Sequence, residues 1–388
     1  MKMSAFIIFI TVVLIVYSFV SYYFFIRGYQ AISGFSFLKI PYILIFFFLT
    51  STYIIARFSE SILPAKVLMF FHFSGSFWLG AIVYFLFLLI FFDLIRLSNY
   101  FFPFYPKIIL QNYALTKLII FLFVITFTGV LLAFGYHNAR NPVVKKLSVN
   151  INKNVNKKSL KIVCASDIHL GWIIGKKKFS QIVDLILVQK PDIILLAGDI
   201  VDEDIQPVIN QNTGEDLLRL KAPLGVYAVT GNHEYIGGIE QTTKYLTQHG
   251  IIILRDTFIT IDNSFIIAGR IDKDAMRFAG RKRKALAEIL SGADNKLPLI
   301  LMDHQPFNLN EAVENGVDLQ LSGHTHSGQL WPGNIITNKI FELSHGYMKK
   351  QNTHFYVSSG VGTWGPPVRI GNKPEIVVID VRFEGNQE

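Results

Sequence analysis

Apolar positions follow two different patterns along the chain, and the patterns meet near residue 136. Before that point hydrophobic residues come in long blocks; after it they come in short runs between polar and amphipathic stretches. Four blocks, at about 4–26, 36–56, 67–92 and 114–136, each reach the roughly 20 residues that cross the hydrocarbon core of a bilayer. The first runs from Ser4 to Ile26 without a charge. Lys39 and Lys117 stand near the starts of the second and fourth, where a lysine can carry its ammonium to an interface. Backbone in lipid must satisfy its own hydrogen bonds, so the blocks predict four transmembrane helices within residues 1–136. The first block outlasts the apolar part of a signal peptide and lacks a clear small-x-small cleavage site, which predicts a retained anchor. A large buried helical core is the competing reading, and four charge-poor blocks in succession are poor material for one.

Residues 137–159 are rich in Asn and Lys and read as a linker; the alternation of Leu147, Val149 and Ile151 leaves room for an edge strand. From residue 160 to 388 the pattern predicts a second domain. Its strands are expected at Leu160–Ala165, Asp192–Ala197, Gly225–Thr230, Ser264–Ala268, Pro298–Met302, Val317–Leu321, His354–Val357 and Glu375–Ile379. Helices are expected at Lys178–Gln189, Ile239–Gln248, Arg281–Ser291 and Leu309–Glu314. Alternating strands and helices argue an α/β domain with a largely open sheet, whose reactive residues gather beyond the carboxyl ends of the strands.

Composition sharpens the division. Of 388 residues, 51% are hydrophobic and only 17% charged, too apolar for a plain soluble chain and far from a disordered one. The single cysteine, Cys164, excludes a disulfide framework and a thiolate metal cluster, and reads as a small buried hydrophobe. The net charge of +9 is unevenly spread: residues 1–136 hold eight Lys/Arg against two Asp/Glu, the remainder 29 against 26. The nearly balanced second part gives no electrostatic case for nucleic acid. The excess in the first part lies between apolar blocks, where a membrane reads it. Four spans leave residue 1 and the segment after Tyr136 on one side with Lys2, Arg57, Lys66, Arg140, Lys145, Lys146 and Lys153; Arg27, Lys39, Arg96, Lys107 and Lys117 face the other. That two-charge margin, with the unpaired cysteine, leans towards a multi-pass protein with a cytoplasmic C-terminal domain.

The chemistry follows the strands. Beyond five of the expected strands stand Ser166-Asp167-Ile168-His169, Gly198-Asp199, Gly231-Asn232-His233-Glu234, Asp303-His304-Gln305 and Ser322-Gly323-His324-Thr325-His326. Carboxylates, an amide and imidazoles without a thiolate suit Mn, Fe or Zn. Seven groups (Asp167, His169, Asp199, Asn232, His304, His324 and His326) are too many for one ion and fit two divalent ions sharing one carboxylate. Such a pair, about 3.5–4 Å apart, clamps the attacking and leaving oxygens of a displacement at phosphorus.

The ordered set D-x-H, G-D, G-N-H-E, H-Q and G-H-T-H over about residues 160–382 closely resembles the calcineurin-like metallophosphoesterase superfamily. The stretches Lys221-Ala-Pro-Leu-Gly-Val-Tyr and Asp318-Leu-Gln-Leu-Ser-Gly-His-Thr-His-Ser-Gly-Gln look like its membrane-associated bacterial branch, which includes phosphodiesterases and UDP-2,3-diacylglucosamine pyrophosphatases. The resemblance implies a β-sheet sandwich flanked by helices. It also implies a first metal held by Asp167, His169 and His326, a second by Asn232, His304 and His324, and Asp199 bridging both. A hydroxide shared by the ions would attack phosphorus in line, with His233 facing the substrate as proton donor or charge stabiliser. Glu234 departs from the family, which more often has Asp there. The four blocks lie outside the resemblance.

The expected function is therefore a membrane-anchored, dinuclear phosphohydrolase acting on a phosphodiester or pyrophosphate. The anchor points to a lipid-linked substrate presented at the bilayer. The alternative is a metal-stabilised membrane scaffold or binding domain with little turnover. A transporter or sensor is disfavoured by the scarcity of ionisable residues within the blocks, and a nuclease by the balanced charge. Around the motifs, Asp202 reads as a helix cap ahead of a partner to a ligand, Asp303 as ordinary polar structure, Arg369 as half of an ion pair ahead of a phosphate contact, and Lys176–Lys178 as a solvated helix start. The Gly/Pro-rich loop from Gly360 to Arg369, with Trp364, is expected to border the site. His72, His137, His249, His345 and His354 read as structural.

Overall fold

The computed structural model describes residues 3–60, 62–153 and 155–384; Lys2, counted above in the charge asymmetry, and the expected domain end at 385–388 lie outside them. The chain divides into two compact units, residues 1–136 with 365–368, and residues 137–364 with 369–388.

The first unit is built on four long helices: α1 (Met3–Ala31), α2 (Ser36–Phe58), α3 (Ala65–Phe101) and α4 (Tyr113–Arg140). Among the described residues all four are long and apolar enough to cross a membrane. They outrun the expected blocks. The 37 residues of α3 make about 55 Å of helix, well beyond a hydrocarbon core of about 30 Å, because Asp93, Arg96 and Asn99 are compatible with helix once outside lipid. Phe102-Pro103 and Asn141-Pro142 stop α3 and α4, since proline disfavours helical backbone in the residue before it. Inside the bundle Phe24, Phe46 and Trp78 are buried, the last two meeting edge to face with centroids 5.6 Å apart. Gly75 lets α3 approach the Tyr53 backbone of α2, where a Cβ would stand 2.6 Å from the Tyr53 Cα. The outward faces remain apolar and exposed.

The second unit contains two six-stranded sheets. Strands β1 (Val143–Ile151), β2 (Ser159–Ala165), β3 (Ile193–Ala197), β4 (Val226–Val229) and β5 (Ile252–Ile253) belong to one. Strands β6 (Thr257–Ile261), β7 (Phe265–Gly269), β8 (Leu299–Met302), β9 (Leu319–Ser322), β10 (Gly346–Lys350) and β11 (Thr353–Val357) form the other. The last strand, β12 (Glu375–Phe383), returns to the first sheet, whose spatial order is β1-β12-β2-β3-β4-β5; the second runs β10-β11-β9-β8-β7-β6.

Side chains alternate across each strand, and here both faces are buried. Leu160, Ile162 and Cys164 of β2 meet Phe265, Ile267, Ile300, Met302, Leu319 and Leu321 in a core between the sheets. Val163, Ala165, Ile194 and Leu196 face the other way, under α5 (Lys176–Leu187). On the far side Ile266, Leu299, Leu301 and Phe355 pack under α8 (Leu309–Glu314). The expected single open sheet is thus corrected to two sheets with helices outside, the sandwich that the family resemblance implies. Two further helices, α6 (Asn232–Gly237) and α7 (Ile239–Gln248), follow β4, and α9 (Gly333–Ile340) follows β9.

Local differences have local causes. The helix expected at Arg281–Ser291 shrinks to Leu286–Ile289, because Arg283 pairs with Asp303 and the Lys284 backbone bonds Asp256 and Arg270, holding 281–284 out of helix. The β6–β7 hairpin turns on Asp262-Asn263, both at φ near +50° (47° and 49°). Lys178, expected in solvent, is buried, with its ammonium on the Arg140 carbonyl, while Lys176 pairs with Glu215.

Burial, with a smaller push from Arg140, lowers the Lys178 ammonium to about 8. Between that value and the ordinary lysine pKa near 10.4 the unfolded chain binds more protons, so stability rises with pH across the window. We expect the thermal transition of the full chain in detergent to climb between pH 8 and 10, and Lys178→Met to flatten that slope. An equal slope in both proteins would assign it elsewhere.

Candidate metal centre

Strands from both sheets end at one place. Parallel β2, β3 and β4 deliver Asp167 and His169, Asp199, and Asn232 and His233; parallel β8 and β9 of the other sheet deliver His304, and His324 and His326. The chain must leave each strand and aim its next side chains back across the seam. The backbone records this: Asp167, His169, Asp199, His324 and His326 all have left-handed φ, between 49° and 72°. Each such non-glycine residue costs on the order of 1–3 kcal/mol, and such residues cluster where function over-determines the geometry. Gly198 (φ 89°) and Gly231 keep the approach close: a Cβ on the first would stand 2.5 Å from His304 Nδ1, and one on the second would overlap the Asp199 carboxylate.

The side chains gather into three overlapping trios: Asp167 with His169 and His326, His169 with Asp199 and His233, and Asp199 with His304 and His324. His169 Nε2 and His326 Nε2 are 3.0 Å apart, and His326 Nε2 is 3.5 Å from Asp167 Oδ1. Asp199 Oδ2 lies 3.1 Å from His304 Nε2 and 3.9 Å from His169 Nε2. Asn232 Oδ1 lies 2.9 Å from His324 Nδ1. All seven predicted ligand residues and His233 therefore meet, and Asp199 is shared between trios.

The donor atoms converge without pairing off. Asp167 Oδ2 and His304 Nε2 are buried with no aligned hydrogen-bond partner, although His304 Nε2 stands close to Asp199. Buried polar atoms are normally satisfied, and oxygens and imidazole nitrogens crowded at 3–4 Å suit cations between them. The residues present thus fit divalent ions of the Mn, Fe or Zn kind.

The surrounding groups hold the ligands in place. His304 Nδ1 meets the Ala197 carbonyl at 2.7 Å, which fixes its ring. The Asp167 carboxylate accepts from the His324 amide, and Asp199 from the His233 amide. Glu234 accepts from the amides of Asp199, Val201 and Gly231, tying the β3 and β4 loops together. The longer Glu thus finds a full set of donors where the family more often has Asp. Arg369, fully buried, donates to His326 O and to the Gly360 and Gly362 carbonyls and lies 3.1 Å from His326 Nδ1. Its expected ion pair is corrected to a carbonyl-bound guanidinium. Asp202 is corrected too: instead of capping a helix, its Oδ1 stands 3.0 Å from His233 Nδ1 and 3.4 Å from His169 Nδ1. Only its place three residues after Asp199 hinted at this, and the sequence marked Arg369 without showing that it reaches His326. Asp303 pairs with Arg283 and Arg270. His137, His249, His345 and His354 join none of the trios, among the described residues.

Charge sorts the imidazoles. Burial disfavours a charged His304, yet the Asp199 carboxylate outweighs it and holds the ring well above its ordinary value. Burial and charged neighbours push the others down: His324 to about 3, mainly with His304, and His326 well below ordinary with Arg369. Burial also raises the Asp167 carboxyl. His233 goes the other way: burial would lower it, but Asp199 and Asp202 carry it up to about 9. Its ring also meets Trp364 edge-on at 5.8 Å, from the Gly/Pro-rich loop.

Similarity to known proteins covers this unit. Residues 160–328 match the family described as calcineurin-like phosphoesterase. A protein of Aquifex aeolicus (strain VF5) named as an uncharacterized metallophosphoesterase is 36% identical over 245 residues, 63% of this chain and 93% of that protein. A Danio rerio protein named as a transmembrane protein with metallophosphoesterase domain is 31% identical over 272 residues, 65% of this chain but only 60% of its own length. An uncharacterized metallophosphoesterase of Bacillus subtilis (strain 168) is 31% identical over 229 residues, 57% of this chain and 79% of that protein.

The Asp202 contact predicts a titration. In chelator-treated protein, Asp202→Asn should move the His233 midpoint down from about 9 towards the ordinary histidine value, followed by imidazole NMR. An unmoved midpoint would show that Asp202 does not hold the His233 charge.

Proposed function

We infer what this chain does from the family it belongs to: it is a member of the calcineurin-like metallophosphoesterases, metal-dependent phosphoric ester hydrolases. Within that family we propose a membrane-anchored enzyme that uses two divalent ions to hydrolyse a phosphodiester or pyrophosphate carried on a lipid. The observation that carries the two-ion reading is the sharing of Asp199 between two trios, one with His169 and His233 and one with His304 and His324 from the other sheet. Asp167, His169 and His326 would hold one ion and Asn232, His304 and His324 the other. When bound, the ions supply Lewis acidity, lowering the pKa of water from about 16 towards 7 and neutralising phosphoryl oxygens.

The chain's own residues do the rest. His324 and His326, held neutral, keep lone pairs free for ligation. Arg369 fixes the turn that carries His326, and Glu234 fixes the loops that carry Asp199 and Asn232. His233 follows the ligand Asn232, and with Nδ1 turned to Asp202 it keeps Nε2 for a leaving oxygen. The Asp202 carboxylate beside it favours the protonated ring that a general acid needs.

The lipid reading rests on the surface beside His326. The turn at His326–Gly328 leads directly into Trp331 and α9, where Gly328 packs against Gly333 and Asn334. Trp331, Ile335, Ile336, Ile340 and Trp364 are all at least half exposed. Aromatic and branched side chains on a short amphipathic helix suit the boundary between headgroups and acyl chains. The four long apolar helices of the same chain support placing a bilayer within reach of it.

His233→Ala should keep its metal content by elemental analysis while turnover of bis-p-nitrophenyl phosphate falls about 10²–10⁴-fold. Normal turnover would remove His233 from the mechanism. Trp331→Ser with Ile336→Ser should slow hydrolysis of a UDP-linked acyl sugar in micelles and spare the soluble diester. Equal loss on both, or none, would sink the lipid-linked substrate while leaving the hydrolase intact.

A further inference from the structure

The helical unit carries a polar chamber that an anchor does not need. A cavity of about 220 Å³ is lined by Arg27 near the end of α1, Asp93 and Arg96 in the last turns of α3, and Lys117 in the first turns of α4. Asp93 is the only carboxylate in this wall. It pairs with Arg27, accepts from the Tyr23 hydroxyl, and lies 3.5 Å from Arg96. One carboxylate cannot neutralise three cations, so the wall keeps a surplus of two positive charges. Arg27 Nε is buried with no hydrogen-bond partner, and Lys117 lies over the Tyr113 ring at 5.5 Å. Beside it is a second cavity of about 300 Å³, lined by Phe24, Phe46, Trp78, Phe85 and their neighbours. Leu89 and Phe121 line both cavities.

We propose that the two cavities form one binding site for an anionic phospholipid, with the phosphate against Arg27, Arg96 and Lys117 and an acyl chain in the apolar cavity. Charge complementarity selects the headgroup: a wall with a surplus of cations at the ends of apolar helices attracts an anionic headgroup. The apolar cavity selects a lipid over free phosphate, since a free anion gains nothing from an aromatic chamber, whereas an acyl chain can fill it and pack against its rings. A zwitterionic lipid brings its own cation to a wall that already has two too many. Every residue named belongs to the helices and none to the metal centre, so this site stands whatever the substrate of the enzyme.

The test uses the full chain purified in detergent and titrated by native mass spectrometry. The probes are dioleoyl phosphatidylglycerol, dioleoyl phosphatidylcholine and inorganic phosphate. One phosphatidylglycerol should bind in preference to phosphatidylcholine, and millimolar phosphate should not displace it. Arg96→Gln with Lys117→Gln removes the surplus while leaving the Arg27–Asp93 pair, and should weaken phosphatidylglycerol about tenfold or more. Leu89→Trp, which fills the shared wall and keeps every charge, should also release the lipid. Equal binding of the two lipids by the unsubstituted chain overturns the proposal without any variant. So does undiminished binding in both variants at an unchanged thermal transition, and displacement by phosphate would reassign the site to a free anion.

Discussion

Asp199 is buried almost completely, and a carboxylate so placed costs several kcal/mol unless opposite charge and donors come to it. Everything near the seam answers that need. The His304 imidazole lies 3.1 Å away, the His233 amide donates to its other oxygen, and Glu234, itself buried, straps the Asp199 amide to Val201 and Gly231. The left-handed turns after β2, β3 and β9 are the geometric form of the same requirement. They carry the chain from a hydrogen-bonded strand to a side chain aimed across the seam within one or two residues, which no relaxed continuation of a strand achieves. Strain, burial and charge therefore concentrate at one point because the two sheets bring five strand ends together there.

The candidate ligands were legible in the amino-acid sequence as a cluster because each sits immediately beyond a short apolar run, and strand ends are read more easily than strand partners. Asp167, His169, Asp199, Asn232, His304, His324 and His326 needed only that local signal, together with the order in which they occur. Asp202 and Arg369 showed only as candidates for a cap and an ion pair, since what they touch lies across the fold. Arg369 reaches His326 over 43 residues, and no periodicity encodes that pairing. The two-sheet arrangement was hidden for a related reason. Leu160, Ile162 and Cys164 face one core while Val163 and Ala165 face another, and a strand apolar on both faces reads as an unbroken run with no indication of which sheet it joins. The short β5 and β10 and the one-turn helices are set by tertiary bonds, as the Arg283–Asp303 pair shows for the segment before Leu286.

The two units solve opposite solvent problems with the same chain. In the second, polar groups are buried and paid for by partners; in the first, apolar groups are exposed and aromatic rings interlock inside the bundle. The exceptions in each unit carry the functional information. Exposed tryptophans and isoleucines near His326 stand out against a polar surface, and Arg27, Asp93, Arg96 and Lys117 stand out against apolar helices.

The position of β12 has a consequence for how the protein is made. Although it comes after every other described strand, it lies between β1 and β2, parallel to one and antiparallel to the other. During synthesis the helices and eleven strands emerge before residue 375 leaves the ribosome, and until then β1 and β2 present two unpaired edges that cannot reach each other. The gap is filled only after the strands on both sides of it exist. A chain that stops short of it, by nonsense mutation or proteolysis, is left with open, adhesive edges rather than with a slightly shortened enzyme.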